Sequence, residues 1–186
     1  MSAFQSLRIA HEFTQTNIAS PERVFPLLCP VRQADWVPGW DYRLIYSTSG
    51  VAEEGCIFTT PNAAPPNPPP DGALSREHAQ SSSQSATPFP DTIWITTAYD
   101  PAAFRIAFVW INPGLVATEI RIQLTPAPNQ QTHAYIRYRY TGLSPDGNRE
   151  VTRFDRAWFE DKMRGWETAI NHYLRTGRRI DAPAWE

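Results

Sequence analysis

Apolar and polar residues along this chain follow two different periods. In its middle and early parts the period is two. Ile9, His11 and Phe13 share a face within residues 8–18; Phe104, Ile106, Phe108 and Trp110 alternate with Ala103, Arg105, Ala107 and Val109 within 103–111. Val116, Thr118, Ile120, Ile122 and Leu124 alternate with Ala117, Glu119, Arg121 and Gln123 within 115–125, and Ile136, Tyr138 and Tyr140 with Tyr135, Arg137 and Arg139 within 132–141. Successive strand side chains point to opposite faces, so each run has one apolar and one charged face. That is the pattern of an antiparallel sheet with one side in water. Further strands are predicted at 42–47, 56–60 and 91–99; within the last, Ile93, Ile95 and Tyr99 compete with Trp94 for the inward face.

Near the C-terminus the period changes. Phe159, Met163, Trp166, Ile170 and Leu174 recur at spacings of three and four, with Phe154 and Trp158 extending the stripe. This predicts one long amphipathic helix over roughly 150–176, stopped by Gly177. A short helix is predicted after the first strand, with Ser20 as N-cap, Pro21 at the first helical position and Glu22 near the positive end. Pro26 limits its length, and Val31 to Trp36 add a further turn before Pro38-Gly39 breaks the chain. The expected class is α+β: a curved antiparallel sheet of about seven strands wrapped around a long C-terminal helix, with two short helices after the first strand. A sheet curved around one helix encloses a cavity, which favours holding something apolar.

Residues 61–90 depart from both periods. They are rich in proline and contain a Ser-Gln run at 81–85, a composition with little capacity to form a core. They read as a flexible surface insertion within a single domain spanning 1–186, able to serve as a lid or an interaction loop.

Composition narrows the function. A 186-residue chain with 41% hydrophobic and 19% charged residues can bury a real core. A net charge of −2 gives no general attraction to nucleic acid. No segment reads as a signal peptide or as a membrane span, and Cys29 and Cys56 have no metal-ligand spacing, so a cytoplasmic protein is the default expectation. A homodimer is compatible with the sequence. Seven Trp, seven Tyr and nine Phe are the unusual part of the composition, supplying large apolar area and, from Trp and Tyr, one polar tip each.

Four stretches carry a family resemblance: IASPERVFPLLCP (18–30), ADWVPGW (34–40) followed by EEGCIFTT (53–60), DTIWITTAYDP (91–101) and FEDKMRGWETAINHYLRTG (159–177). With the order of elements, they resemble the START-like superfamily, also called SRPBCC, in a bacterial branch near the polyketide cyclase and dehydrase group. The resemblance implies the helix-grip fold and a cavity between sheet and last helix. It brings no catalytic motif, because the superfamily includes lipid carriers, hormone receptors, cyclases and chaperone activators.

The chemistry the residues offer is sparse. No Gly-x-Ser-x-Gly elbow, phosphate-binding Gly loop or His pair with ligand spacing occurs, so neither metal nor cofactor is expected. His11, His78, His133 and His172 are widely separated. Proton transfer by His11 with Tyr138 inside an apolar pocket is the candidate chemistry. The candidate ligand-binding side chains are Phe13, Trp36, Trp40, Phe58, Trp94, Phe108, Trp110, Ile120, Tyr138, Tyr140, Phe154 and Trp158. The expected function is binding of a small hydrophobic or aromatic molecule; a cyclase or dehydratase in the same cavity, and a chaperone-activator-like interaction module, are the alternatives.

Overall fold

A computed structural model describes residues 3–61 and 91–181. The expectation for the insertion at 61–90 lies almost wholly outside the described residues. Seven strands form one antiparallel sheet: β1 (Arg8–Asn17), β2 (Arg43–Tyr46), β3 (Ile57–Thr60), β4 (Thr92–Asp100), β5 (Arg105–Asn112), β6 (Val116–Ala127) and β7 (Gln131–Gly142), in the spatial order β1-β7-β6-β5-β4-β3-β2. Two short helices, α1 (Pro21–Val24) and α2 (Pro30–Gln33), flank a 3-10 turn at Phe25–Leu28. Proline takes the first position of α1 and α2 and the second of the turn, where its missing N–H is harmless; further into a helix it would break a bond.

The C-terminal helix is not continuous. α3 (Pro145–Arg153) and α4 (Arg156–Thr176) are separated at Phe154, whose φ of −81° and ψ of 56° leave the helical region. Each has its own cap: Ser144 Oγ accepts from Gly147 N at 3.0 Å, and the Asp155 carboxylate accepts from Trp158 N at 2.8 Å. The single helix expected from 150 onward is corrected accordingly; Phe154 and Trp158 preserve the spacing across a break that the spacing cannot register. Ser20 stands at the N-cap of α1 as expected, with extended φ and ψ of −67° and 159°, though without a side-chain cap bond. It supplies its carbonyl to Arg23 N and Val24 N, and its hydroxyl turns to the Glu22 carboxylate, holding that acid below its ordinary range. Gly177 does end α4, in the left-handed conformation at φ 68° with its N–H bonded to Tyr173 O at 2.7 Å.

Strand pairing brings the inward residues into three rows across the sheet. One runs Phe58, Trp94, Trp110, Thr118, Tyr140, Ile9; the next Thr96, Phe108, Ile120, Tyr138, His11; the third Tyr99, Ile106, Ile122, Ile136, Phe13. Trp94 therefore points inward and Ile93 is exposed, which decides the parity left open by the sequence. A bulge between Thr96 and Ala98 shifts the register so that Tyr99 also faces in. Phe104 belongs to the β4–β5 turn, not to the strand expected from 103: its φ is +51°, and its ring packs edge-on to Phe25 at 5.9 Å.

α4 lies along β1, burying Phe159, Met163, Trp166, Ala169 and Ile170. Polar ties fix its position: Gln15 Nε2 donates to Met163 O at 2.7 Å, and the Asn171 amide accepts from Ile18 N at 3.0 Å and donates to Thr16 O at 2.9 Å. α3 packs on β7, where Gly147 meets the chain so closely that a Cβ would stand 1.8 Å from Leu115 O.

Candidate functional site

Among the described residues, a void of about 10 Å³ lies between sheet and helix, lined by Gln33, Phe58, Trp94, Phe108, Ile120, Ile122, Tyr138 and Trp166. That is room for a single water at most. Rings close the space: Phe58 stacks on Trp94 at 5.3 Å, Trp40 meets Trp94 at 6.0 Å and Phe58 at 6.4 Å, and Trp110 meets Trp94 at 6.1 Å. Trp36, fully buried, stands edge-on to Trp166 at 5.6 Å. The indole N–H groups are committed, Trp36 to Leu27 O, Trp40 to Pro30 O and Trp94 to Thr60 Oγ1, so these rings are fixed in orientation.

A second cluster adjoins the first through Tyr138. It joins His11, Tyr140, Phe154 and Trp158. Tyr140 lies 5.7 Å from Tyr138 and 4.7 Å from Phe154, and Phe154 lies 4.9 Å from Trp158. Trp158, expected to continue the buried stripe, is 40% exposed, because the helix break turns it toward the rim. Phe13 belongs to neither cluster; it lies two residues beyond His11 on β1, beneath the Arg164 guanidinium at 5.7 Å.

His11 has a clear structural partner. Its Nε2 lies 2.7 Å from Phe154 O, and since a carbonyl only accepts, Nε2–H is the donor. The bond satisfies a carbonyl freed by the end of α3 and leaves Nδ1 as the remaining nitrogen. The ring also stacks on Phe159 at 5.4 Å.

Several inward polar atoms lack partners among the described residues. Gln33 Oε1, Thr118 Oγ1 and the Tyr140 hydroxyl are buried without a hydrogen bond. Gln33 borders the small void, and Thr118 and Tyr140 are register neighbours. Burial pushes both Tyr138 and Tyr140 well above the ordinary phenol range, so they stay neutral donors.

Sequence reasoning missed Lys162. It is the sole lysine in the chain, one of 17 basic residues that are otherwise arginine. Its Nζ lies 5.1 Å from the Trp158 ring centre, 5.9 Å from Tyr138 and 6.0 Å from Trp166. No carboxylate pairs with it among the described residues, and desolvation lowers its pKa to about 8. The signal was available: in a chain that uses arginine everywhere else, the exception falls on the helix that faces the sheet.

Other features are structural. Cys29 and Cys56 are free, buried thiols; Ala52 N donates to Cys29 Sγ at 3.2 Å. No cluster of His, Cys, Asp and Glu fit to hold a metal occurs among the described residues. A surface hollow of about 680 Å³ lies on the charged outer face of the sheet, beside Arg105, Glu119, Arg121 and Tyr135.

This sheet, wrapped on α4 with two short helices after β1, is the helix-grip fold that the START-like resemblance implied. Solved structures share it. A norcoclaurine synthase mutant from Thalictrum flavum, in complex with a transition-state analogue, aligns with a TM-score of 0.61 at 13% identity over 94% of this chain and 99% of that one. An uncharacterized protein from Rhizobium leguminosarum aligns at 0.56 and 12% identity, over 92% of this chain and 97% of that one. The di-domain ARO/CYC BexL from the BE-7585A biosynthetic pathway aligns at 0.56 and 14%, over 90% of this chain and 46% of that one. At these identities the likeness is one of fold. No family model and no curated protein matches the sequence. No helix among the described residues is long and apolar enough to cross a membrane.

Proposed function

We propose that the protein binds a small aromatic molecule between the sheet and α4, at the junction of the two ring clusters. The observation that carries this reading is the set of inward polar atoms without partners, Gln33 Oε1, Thr118 Oγ1 and the Tyr140 hydroxyl, set among aromatic side chains. An unpaired buried polar atom costs about 1–3 kcal/mol. A fold optimised only for packing would replace such atoms with methyl groups. A ligand with one or two polar substituents would satisfy them, while its ring replaces ring contacts already present. The void of about 10 Å³ cannot hold such a molecule, so entry requires a ring to swing aside. Trp166 is the side chain for this: it lines the void, keeps an 8% exposed edge, and makes no indole hydrogen bond among the described residues. Two proteins with the same fold, a synthase solved with a transition-state analogue and an ARO/CYC of a biosynthetic pathway, agree with a small-molecule role.

Native mass spectrometry of the purified protein, followed by titration with mono- and bicyclic phenols under tryptophan fluorescence, tests the reading. Saturable quenching with a rise in melting temperature is expected. Absence of both a retained compound and any saturable response across the panel would sink it.

A further inference from the structure

We propose that Lys162 Nζ is a carbonyl-reactive amine that takes an aromatic aldehyde as a Schiff base at the rim between Trp158 and Trp166. The inference rests on the proposed ligand site only for the direction in which the captured ring points. Three observations carry it. Lys162 is the sole lysine of the sequence, where arginine supplies every other cation. Arginine is the better partner for carboxylates, but its guanidinium is not a nucleophile; a lysine is needed where an amine must lose its proton. The amine is also placed without any anionic partner among the described residues, in a three-sided frame of the Trp158, Tyr138 and Trp166 rings at 5.1–6.0 Å. Finally, the frame is reachable: Lys162 itself is only half-buried and Trp158 is 40% exposed, so a planar molecule can approach from solvent and stack.

The titratable groups packed around the amine do not restore its proton. Tyr138, the titratable ring that the amine faces, is held neutral by burial. With desolvation bringing the amine to about 8, roughly half of it is neutral near that pH, against under about 1% for an ordinary lysine. The neutral nitrogen lone pair adds to the carbonyl carbon, and the C=O π pair moves to oxygen, which takes a proton from water while the hydroxide so formed removes one proton from nitrogen. The carbinolamine then loses water: the hydroxyl leaves with one proton, nitrogen gives up its own, and a C=N bond forms. No oxidant or reductant is needed, and hydrolysis reverses the step.

A single lysine makes the test direct. The protein is incubated with 2-naphthaldehyde at pH 7.5, adducts are fixed with cyanoborohydride, which delivers hydride to the C=N carbon, and peptides are mapped by mass. Modification of Lys162 is expected at least tenfold faster than that of Nα-acetyl-lysine and at least tenfold faster than with butanal. The peptide carrying the chain's α-amine serves as an internal reference. Lys162→Arg should abolish the internal adduct, and Trp158→Ala, which keeps the amine, should lose the preference for the aromatic aldehyde. Modification no faster than the free lysine, or equal rates with butanal, overturns the proposal. The alcohol 2-naphthalenemethanol separates the two readings. Saturable binding of the alcohol without a fast adduct removes the amine chemistry alone; a fast adduct without such binding removes the ligand site between sheet and helix.

Discussion

Tyr140 and Lys162 place opposite demands on the same cluster. The Tyr140 hydroxyl is buried with no partner among the described residues, so the folded protein without ligand loses the hydration that the unfolded chain keeps. Tyr140→Phe should therefore raise stability in urea melts by about 1 kcal/mol, and should weaken binding of a phenolic ligand. A loss of stability instead would mean that the hydroxyl has a bonded partner. Lys162 gives a pH-dependent counterpart. Its folded pKa, about 8, lies below the unfolded value near 10.4, so between these limits the unfolded state binds more protons and wild-type stability rises with pH. Lys162→Met removes this dependence. The variant should be more stable than wild type at pH 7, with its advantage shrinking from about pH 8 toward pH 10. The buried tyrosines act oppositely above about pH 10, but equally in both proteins, so the difference isolates the lysine. A difference that stays flat with pH would show that Lys162 titrates as an exposed amine. Of these two residues, Tyr140 was legible in the sequence by parity. Lys162 was not legible by periodicity, which assigns no meaning to a charged residue beside the stripe; only its standing as the sole lysine marked it.

At the scale of elements, the strands were the most legible part, since side-chain alternation and turn chemistry are both local. The inward set Val116, Thr118, Ile120, Ile122 and Leu124 is buried throughout. β4 resisted because Ile93, Trp94 and Ile95 are consecutive apolar residues, and only pairing to Phe58 and Trp110 decides among them. The helix break was missed for a different reason. Leaving the helix at Phe154 and restarting at Arg156 keeps Phe154, Trp158 and Lys162 four apart in number while turning Trp158 outward. A local signal was present: Asp155 before Arg-Ala-Trp, and Ser144 before Pro145-Asp146 at the start of α3, are both start signatures. Asp155→Ala removes the acceptor for Trp158 N and should cost about 1 kcal/mol in chemical denaturation. It should also loosen the rim, read as higher amide exchange at Trp158 and Phe159 with β5 and β6 unchanged. Uniform loss of protection along α4 would show that the Asp155 cap holds the whole helix and not its first turn.

For the molecule as a whole, the expected cavity and the observed packing meet at Trp166. Sequence alone predicts which face of each element is apolar; it cannot predict how completely the rings of two faces fill the gap between them, because that depends on rotamers chosen jointly by α2, β3 to β7 and α4. Among the described residues, the rings around Trp166 leave a void of about 10 Å³. If the grip is a ligand site closed by a movable ring, removing that ring should convert it into an open one. Trp166→Ala deletes an indole that touches Trp36 edge-on and lines the void, at a cost of about 3–5 kcal/mol in stability. Most domains hold about 5–15 kcal/mol, so the variant should still fold. The space left has the shape of the lost side chain and a largely apolar lining, the type of cavity that remains empty and accepts an aromatic guest. Indole should therefore bind the variant and raise its melting temperature, recovering about 2.7 kcal/mol once its concentration reaches about a hundred times its dissociation constant. Wild type, whose own indole occupies the space, should respond less at equal concentration. An equal response from both proteins would place the guest elsewhere, and a variant that ignores indole while still folding would show that Trp36 and the α2 segment collapse into the gap, making the grip a core and not a site.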